Sequence, residues 1–193
     1  RDNSFQRFSL TGEFDNRLGG DHETEGEIGG AEGIDLARDG RLLYVADEVY
    51  HRIRRFDPTG ILKDSFGTGG TKDVGHLNAP GDVAVAPDGT VYVADTGNHR
   101  VQRFGAGGSA PAAFDLSGAG SPVGALTRLT IDVPAGGGEA LLFVADPENH
   151  RIHRLSRTGQ WLGAWGQAAP TDGAAPPGAF GKLTGLAFAD GRV

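Results

Sequence analysis

The chain has no cysteine and no methionine, and only three lysines stand against fifteen arginines. It also has no apolar run near the ~18 residues that read as a membrane-spanning helix. Without cysteine there is no disulfide framework, no thiolate catalysis and no Cys-ligated zinc, and the redox compartment goes unread. No secretory leader is visible at the start. Without methionine, and with arginine at position 1, the sequence is expected to be a processed or truncated piece. A net charge of −7 argues against electrostatic binding of nucleic acid. What is abundant is glycine, 33 of 193 residues with no collagen-like period, which in a globular chain means many tight turns. This length fits one domain able to bury a core without staples.

Self-similarity organises the chain. Leu43-Tyr-Val-Ala-Asp47, Val91-Tyr-Val-Ala-Asp95 and Leu142-Phe-Val-Ala-Asp146 align, with their Asp residues 48 and then 51 positions apart. Four residues after each Asp stands a His-Arg pair: His51 and Arg52, His99 and Arg100, His150 and Arg151. A short apolar strand and an Asp-Gly or Gly-rich turn precede each Val-Ala-Asp, as in Val83–Val85 and Ala86-Pro-Asp-Gly89. A further strand follows the next turn, as in Ile61–Phe66 and after Gly159. No helical periodicity competes.

Four antiparallel strands per ~48 residues describe a β-propeller blade, because one such sheet cannot cover both its faces and stacks radially on its neighbours. The fold is therefore expected to be all-β, a single propeller over 1–193. It divides into the end of a blade (1–27), three complete blades (28–71, 72–118, 119–177) and the start of another (178–193). Phe5-Gln-Arg-Phe8 aligns with Val101-Gln-Arg-Phe104, so the first segment enters at a third strand. Three blades and two half-blades read as a fragment of a larger ring.

The run from Gly81 to Phe104, with its Asp88-Gly89, Val93-Ala-Asp95 and Asn98-His-Arg100, closely resembles an NHL repeat. The resemblance extends more loosely to 33–67 and 124–166 and implies a six-bladed propeller. It also implies a secreted or periplasmic location and a role as a non-catalytic scaffold whose loop face binds a protein, peptide or glycan.

A repeated Asp-x-x-x-His-Arg unit invites an acid–base reading. A unit present in every blade is most simply a turn device, with Asp47, Asp95 and Asp146 accepting backbone N–H bonds. Arg7, Arg55, Arg103 and Arg154 also recur once per blade and are expected to pair with carboxylates on adjacent blades. Gly67–Gly70, Gly105–Gly108 and Gln167–Pro177 read as blade-to-blade connections or spacer.

One feature is not repeated: Asp21, Glu23, Glu25, Glu27 and Glu32, followed by Asp35, Asp47 and Glu48. Loop oxygens in such density suit Ca²⁺. Over residues 2–48, Asp2-Asn-Ser-Phe5, Glu23-Thr-Glu-Gly26 and Glu32-Gly-Ile-Asp-Leu36 resemble segments of the β-propeller phytases. That resemblance implies an alternative, a Ca²⁺-dependent phosphohydrolase with Glu32, Asp47 and Glu48 as metal ligands. Peptidyl-hydroxyglycine lyases share an NHL-like propeller and place zinc-binding His at the start of an inner strand. The matching positions here are Gly33, Gly81 with Asp82, and Gly185, none of them His.

Overall fold

The computed structural model describes residues 5–18, 28–70, 73–114, 116–119, 122–134, 138–170, 174–181 and 183–187. The first strands, β1 (Phe5–Phe8) and β2 (Phe14–Leu18), form an antiparallel hairpin. Three four-stranded antiparallel sheets follow, each in simple up-and-down order. The first is β3 (Ala31–Leu36), β4 (Leu43–Asp47), β5 (Arg52–Phe56) and β6 (Leu62–Phe66). After it β7 (Thr68–Gly69) pairs in parallel with β8 (His76–Leu77). The second sheet is β9 (Asp82–Val85), β10 (Val91–Asp95), β11 (Arg100–Phe104) and β12 (Ala112–Ala113). The third is β13 (Arg128–Asp132), β14 (Leu141–Asp146), β15 (Arg151–Ser156) and β16 (Trp161–Trp165). It is followed by the parallel pair β17 (Gln167–Ala168) and β18 (Ala179–Phe180).

The strands are β because their residues are β-branched, aromatic or small, and because an Asp-Gly or similar turn separates them. Gly40, Gly60, Gly89 and Gly159 all hold positive φ at those turns, a region closed to most L residues. Outer strand β12 is cut to two residues because a 3-10 turn at Ala106–Gly108, with Gly107 and Gly108 at positive φ, and then Pro111 occupy its approach. The Gly67–Gly70 connection and the expected spacer from Gln167 carry order of their own, since Thr68–Gly69 and Gln167–Ala168 each ladder with the entry to the next blade.

The core lies between sheets. Each second strand turns alternate residues to opposite neighbours. Tyr44 and Ala46 of the first sheet share a buried cluster with Val83, Val85, Val91 and Val93 of the second. Tyr92 and Ala94 of the second sheet do the same with Leu129, Leu142 and Val144 of the third. Burial on both faces explains why these strands read as nearly continuous apolar runs.

Candidate functional site

The carboxylates form two sets, one at the turn after each second strand and one on the inner strands. Asp47, Asp95 and Asp146 end β4, β10 and β14 and are fully buried. Each accepts at least four hydrogen bonds among the described residues. Asp47 accepts from Gly29 N (3.4 Å), Gly30 N (3.2 Å), Tyr50 N (3.3 Å) and Arg54 Nε (2.8 Å). Asp95 accepts from Asn78 N (2.7 Å), Asn98 Nδ2 (2.9 Å), Arg100 Nε (2.7 Å) and Gln102 Nε2 (2.8 Å). Asp146 accepts from Gly124 N (3.1 Å), Asn149 N (3.2 Å), Asn149 Nδ2 (2.8 Å) and His153 Nε2 (3.1 Å).

The turn-device expectation is thus too small. Turn bonds exist, but each carboxylate also ties the loop entering its own inner strand to the third strand. His51, His99 and His150 are the left-handed residues of these turns, at φ of 53, 54 and 52°. His51 also reaches the next blade, its Nδ1 accepting from Ala79 N (2.9 Å). Arg100 spans from Asp95 to the carbonyls of Asp73 and His76. Arg52 stacks instead on the Tyr50 ring, and Arg151 opens β15 beside Asp146.

Sequence reasoning missed the buried donors seven positions after each Asp: Arg54, Gln102 and His153. The signal was present as a polar side chain at the same place in three strands, each time directly after a β-branched residue (Ile53, Val101, Ile152). His153 donates from Nε2 to Asp146 while its Nδ1 accepts from Trp161 Nε1 (3.3 Å), which sets the tautomer. Burial pushes the Asp146 carboxyl upward, yet the bonds from His153, Asn149 and Gly124 outweigh it and hold the group at about 2.

On the inner strands, Asp35 and Asp82 bridge blades. Asp35 accepts from Leu36 N (2.8 Å) and, across the interface, from Val85 N (2.7 Å). Asp82 accepts from Val83 N (2.9 Å) and from Leu129 N of the third sheet (2.9 Å). Burial dominates here: it raises the Asp35 carboxyl and pushes Asp82 up to about 6, against partial relief from backbone bonds and the Arg128 charge. Gly33 is glycine because an added Cβ would lie 2.5 Å from the Asp82 Cα. These strands, with Leu186 and Ala187, line a cavity of about 880 Å³.

The calcium candidates do not lie together as one set of free oxygens. Asp47 faces its four donors inside the blade, Glu48 is exposed, and Glu32 lies 3.8 Å from Arg128 of the third sheet. Among the described residues no three acidic or His side chains are grouped to hold a metal. Asp21, Glu23, Glu25 and Glu27 fall outside the described residues. The recurring arginines depart from expectation: Arg7 pairs with Asp15 and Arg55 with Asp64, both within their own sheet. The reason is register, since β6 sets Asp64 opposite Arg55, whereas the places opposite Arg103 and Arg154 are Ala112 and Gly163.

The tips of the three equivalent turns differ while the frame beneath stays the same. Thr96-Gly-Asn98 and Pro147-Glu-Asn149 use their Asn side chains to bond the carbonyls of Gly70 and Pro122. The first blade has Glu48-Val-Tyr50 instead, with Val49 56 % and Tyr50 42 % exposed. The guanidinium groups of Arg52 and Arg54 lie 4.9 and 5.5 Å from the Tyr50 ring centre.

The NHL repeat model matches residues 77–104, the second blade from β8 to β11. No curated protein sequence matches the chain. Among solved structures, a catalytically inactive H270A virginiamycin B lyase from Staphylococcus aureus with quinupristin is similar at 18 % identity and a TM-score of 0.60. That match covers 88 % of this chain and 50 % of the lyase. A streptogramin B lyase is similar at 15 % identity and a TM-score of 0.61, with 91 % and 51 % covered. Kuenenia stuttgartiensis hydrazine synthase follows at 15 % identity and 0.56, with 78 % and 40 % covered. The chain spans about half the length of these structures or less, and at such identity the likeness concerns the fold alone. Repeat match, stacked four-stranded sheets and structural likeness agree: this chain has a β-propeller fold and carries an NHL repeat at residues 77–104.

Proposed function

We propose that the chain is a non-catalytic binding scaffold whose turn face takes a protein or peptide, with Val49 and Tyr50 as its main contact. The observation that carries this reading is the contrast between frame and tip. The repeated carboxylates and their donors on the third strands are buried and committed to internal bonds, while the turn residues above them vary and in the first blade are exposed. Variable residues on a rigid, repeated frame are the usual arrangement of a recognition surface. Tyr50 is held in place by Gly29, whose added Cβ would lie 2.8 Å from the ring, and by the two guanidinium groups. A pre-ordered aromatic beside arginine is the composition of an interface hot spot.

The test is selection of ligands from a random peptide display library and, in parallel, from a glycan array. Selected ligands are then rechecked on Tyr50→Ala and Val49→Asp. Peptide ligands lost on both variants, at unchanged melting temperature, support the reading. Ligands indifferent to both variants, selection of glycans alone, or Ca²⁺-dependent hydrolysis of a phosphomonoester by the purified chain would overturn it.

A further inference from the structure

The turn of the first blade carries a cation that its own frame does not neutralise. In the second blade the arginine of the His-Arg pair is fully engaged. Arg100 donates from Nε to Asp95 Oδ2 at 2.7 Å and from Nη2 to the carbonyls of Asp73 and His76 at 3.1 and 2.9 Å. The buried third-strand donors there and in the third blade are Gln102 and His153. In the first blade that place is filled by Arg54, also buried, whose Nε takes Asp47 Oδ2 at 2.8 Å. Two guanidinium groups therefore stand over one carboxylate. Burial, and next to it the charge of Arg52, loosen the hold of Arg54 on its proton, against the bond to Asp47.

Arg52 is the one left over. Its Cζ lies 4.9 Å from the centre of the Tyr50 ring, and its Nε is closed off from water without an acceptor. No described acceptor takes its other N–H groups, and no described carboxylate, Glu48 of the same turn included, lies within ion-pair distance of it. With Nε sealed, only the Nη groups can meet an acceptor from outside. A guanidinium already stacked on an aromatic face loses little further freedom when it pairs, and its planar fork suits a carboxylate.

We infer that Arg52, stacked on Tyr50, is a carboxylate-binding site on the turn face, and that the bound peptide presents a single carboxylate next to an apolar residue. The inference rests on the scaffold reading for the ligand being a peptide, and it adds the chemistry that the peptide must carry. The apolar neighbour follows from Val49, exposed beside Tyr50 on the same turn. The single acid follows from Glu48, exposed on that turn, and from the net charge of −7, both of which repel a run of acidic residues.

The first probe is a pair of capped dipeptides, acetyl-Ile-Asp-methylamide and its Asn counterpart, titrated into the full chain while the arginine side-chain resonances are followed. The acid should shift the Arg52 resonances saturably, at least tenfold more tightly than the amide, and less tightly as salt is raised. Arg52→Met, which keeps an unbranched stem over Tyr50, should remove this binding at unchanged melting temperature. Arg52→Lys, which keeps the charge without the fork, should weaken it severalfold. No saturable shift, equal binding of acid and amide, or saturation by inorganic phosphate but not by the acid would overturn the inference.

Peptides selected on the turn face supply the second measurement. Changing their acid to its amide should weaken binding about tenfold on the wild-type chain and little on Arg52→Met. Amidating the C-terminus distinguishes a terminal carboxylate from a side chain. Peptides lost on Tyr50→Ala but carrying no carboxylate, or indifferent to Arg52→Met, would overturn the inference and leave the scaffold reading standing. Binding of the acidic dipeptide at Arg52 with no peptide selected would sink the scaffold reading and leave the carboxylate site.

Discussion

Asp146 at a turn and Asp82 on an inner strand are both buried, yet their surroundings move their carboxyls in opposite directions. Asp146 gathers four donor contacts, two of them from side chains, and its carboxyl stays at about 2. Asp82 has two backbone N–H donors and a more distant Arg128, and its carboxyl rises to about 6. Burial alone therefore says little about a carboxylate's charge. What decides is whether enough donors replace the water that was lost. The turn sites act as anchors within a blade, and the inner-strand sites are weaker fasteners between blades.

The largest expected effect comes from removing an anchor. Asp95→Ala removes the shared buried acceptor of Asn78, Asn98, Arg100 and Gln102, and unfolding in denaturant should show a loss of roughly 3–5 kcal/mol. A loss well under 1 kcal/mol would erase the contrast between the two regions.

The pH profile should separate them next. The native Asp82 carboxyl holds its proton more tightly than in the unfolded chain. Its stabilising contribution is therefore full below about pH 4 and is lost as pH rises through about 6, on the order of 3 kcal/mol in all. Asp146 behaves oppositely, its contribution being present above about pH 4 and lost as pH falls through about 2. Stability measured from pH 4 to 7 on wild type and Asp82→Asn should show the variant lacking the wild-type decline. A carbon-detected titration of Asp82 with a midpoint near 4 would contradict this.

Gly33→Ala should follow, at about 1–3 kcal/mol, because its Cβ meets the backbone of Asp82 and forces the first two inner strands apart. Thermal melts would measure it, and wild-type stability would mean that the strands yield freely. Arg157→Ala should come last. Its pair with Asp88 joins two half-exposed side chains, and the loss should stay below about 1 kcal/mol.

Much of the fold was legible in the residues. Val-Ala-Asp repeated at a near-constant interval, with Gly at the turns, states four short strands per blade. The spacing alone excluded helix. The pairing of Arg55 was misread because a cross-strand partner depends on register, and register at Asp64 is set by the bulge near Phe56. The parallel ladders at Thr68 and Gln167 were hidden because two-residue pairings leave no periodic signal.

By itself the sequence determined the blade, since local turn chemistry and alternation act between neighbours in the chain. It also singled out Asp47, Asp95 and Asp146, because a polar residue that recurs inside an apolar strand has to be satisfied there. Only the tertiary structure decided who satisfies them: Arg54, Gln102 and His153, three unlike side chains that become equivalent once β5, β11 and β15 lie beside their carboxylates. The same holds for Asp35 and Asp82. Their partners Val85 and Leu129 stand 50 and 47 residues away, and only the stacking of blades brings those N–H groups within reach.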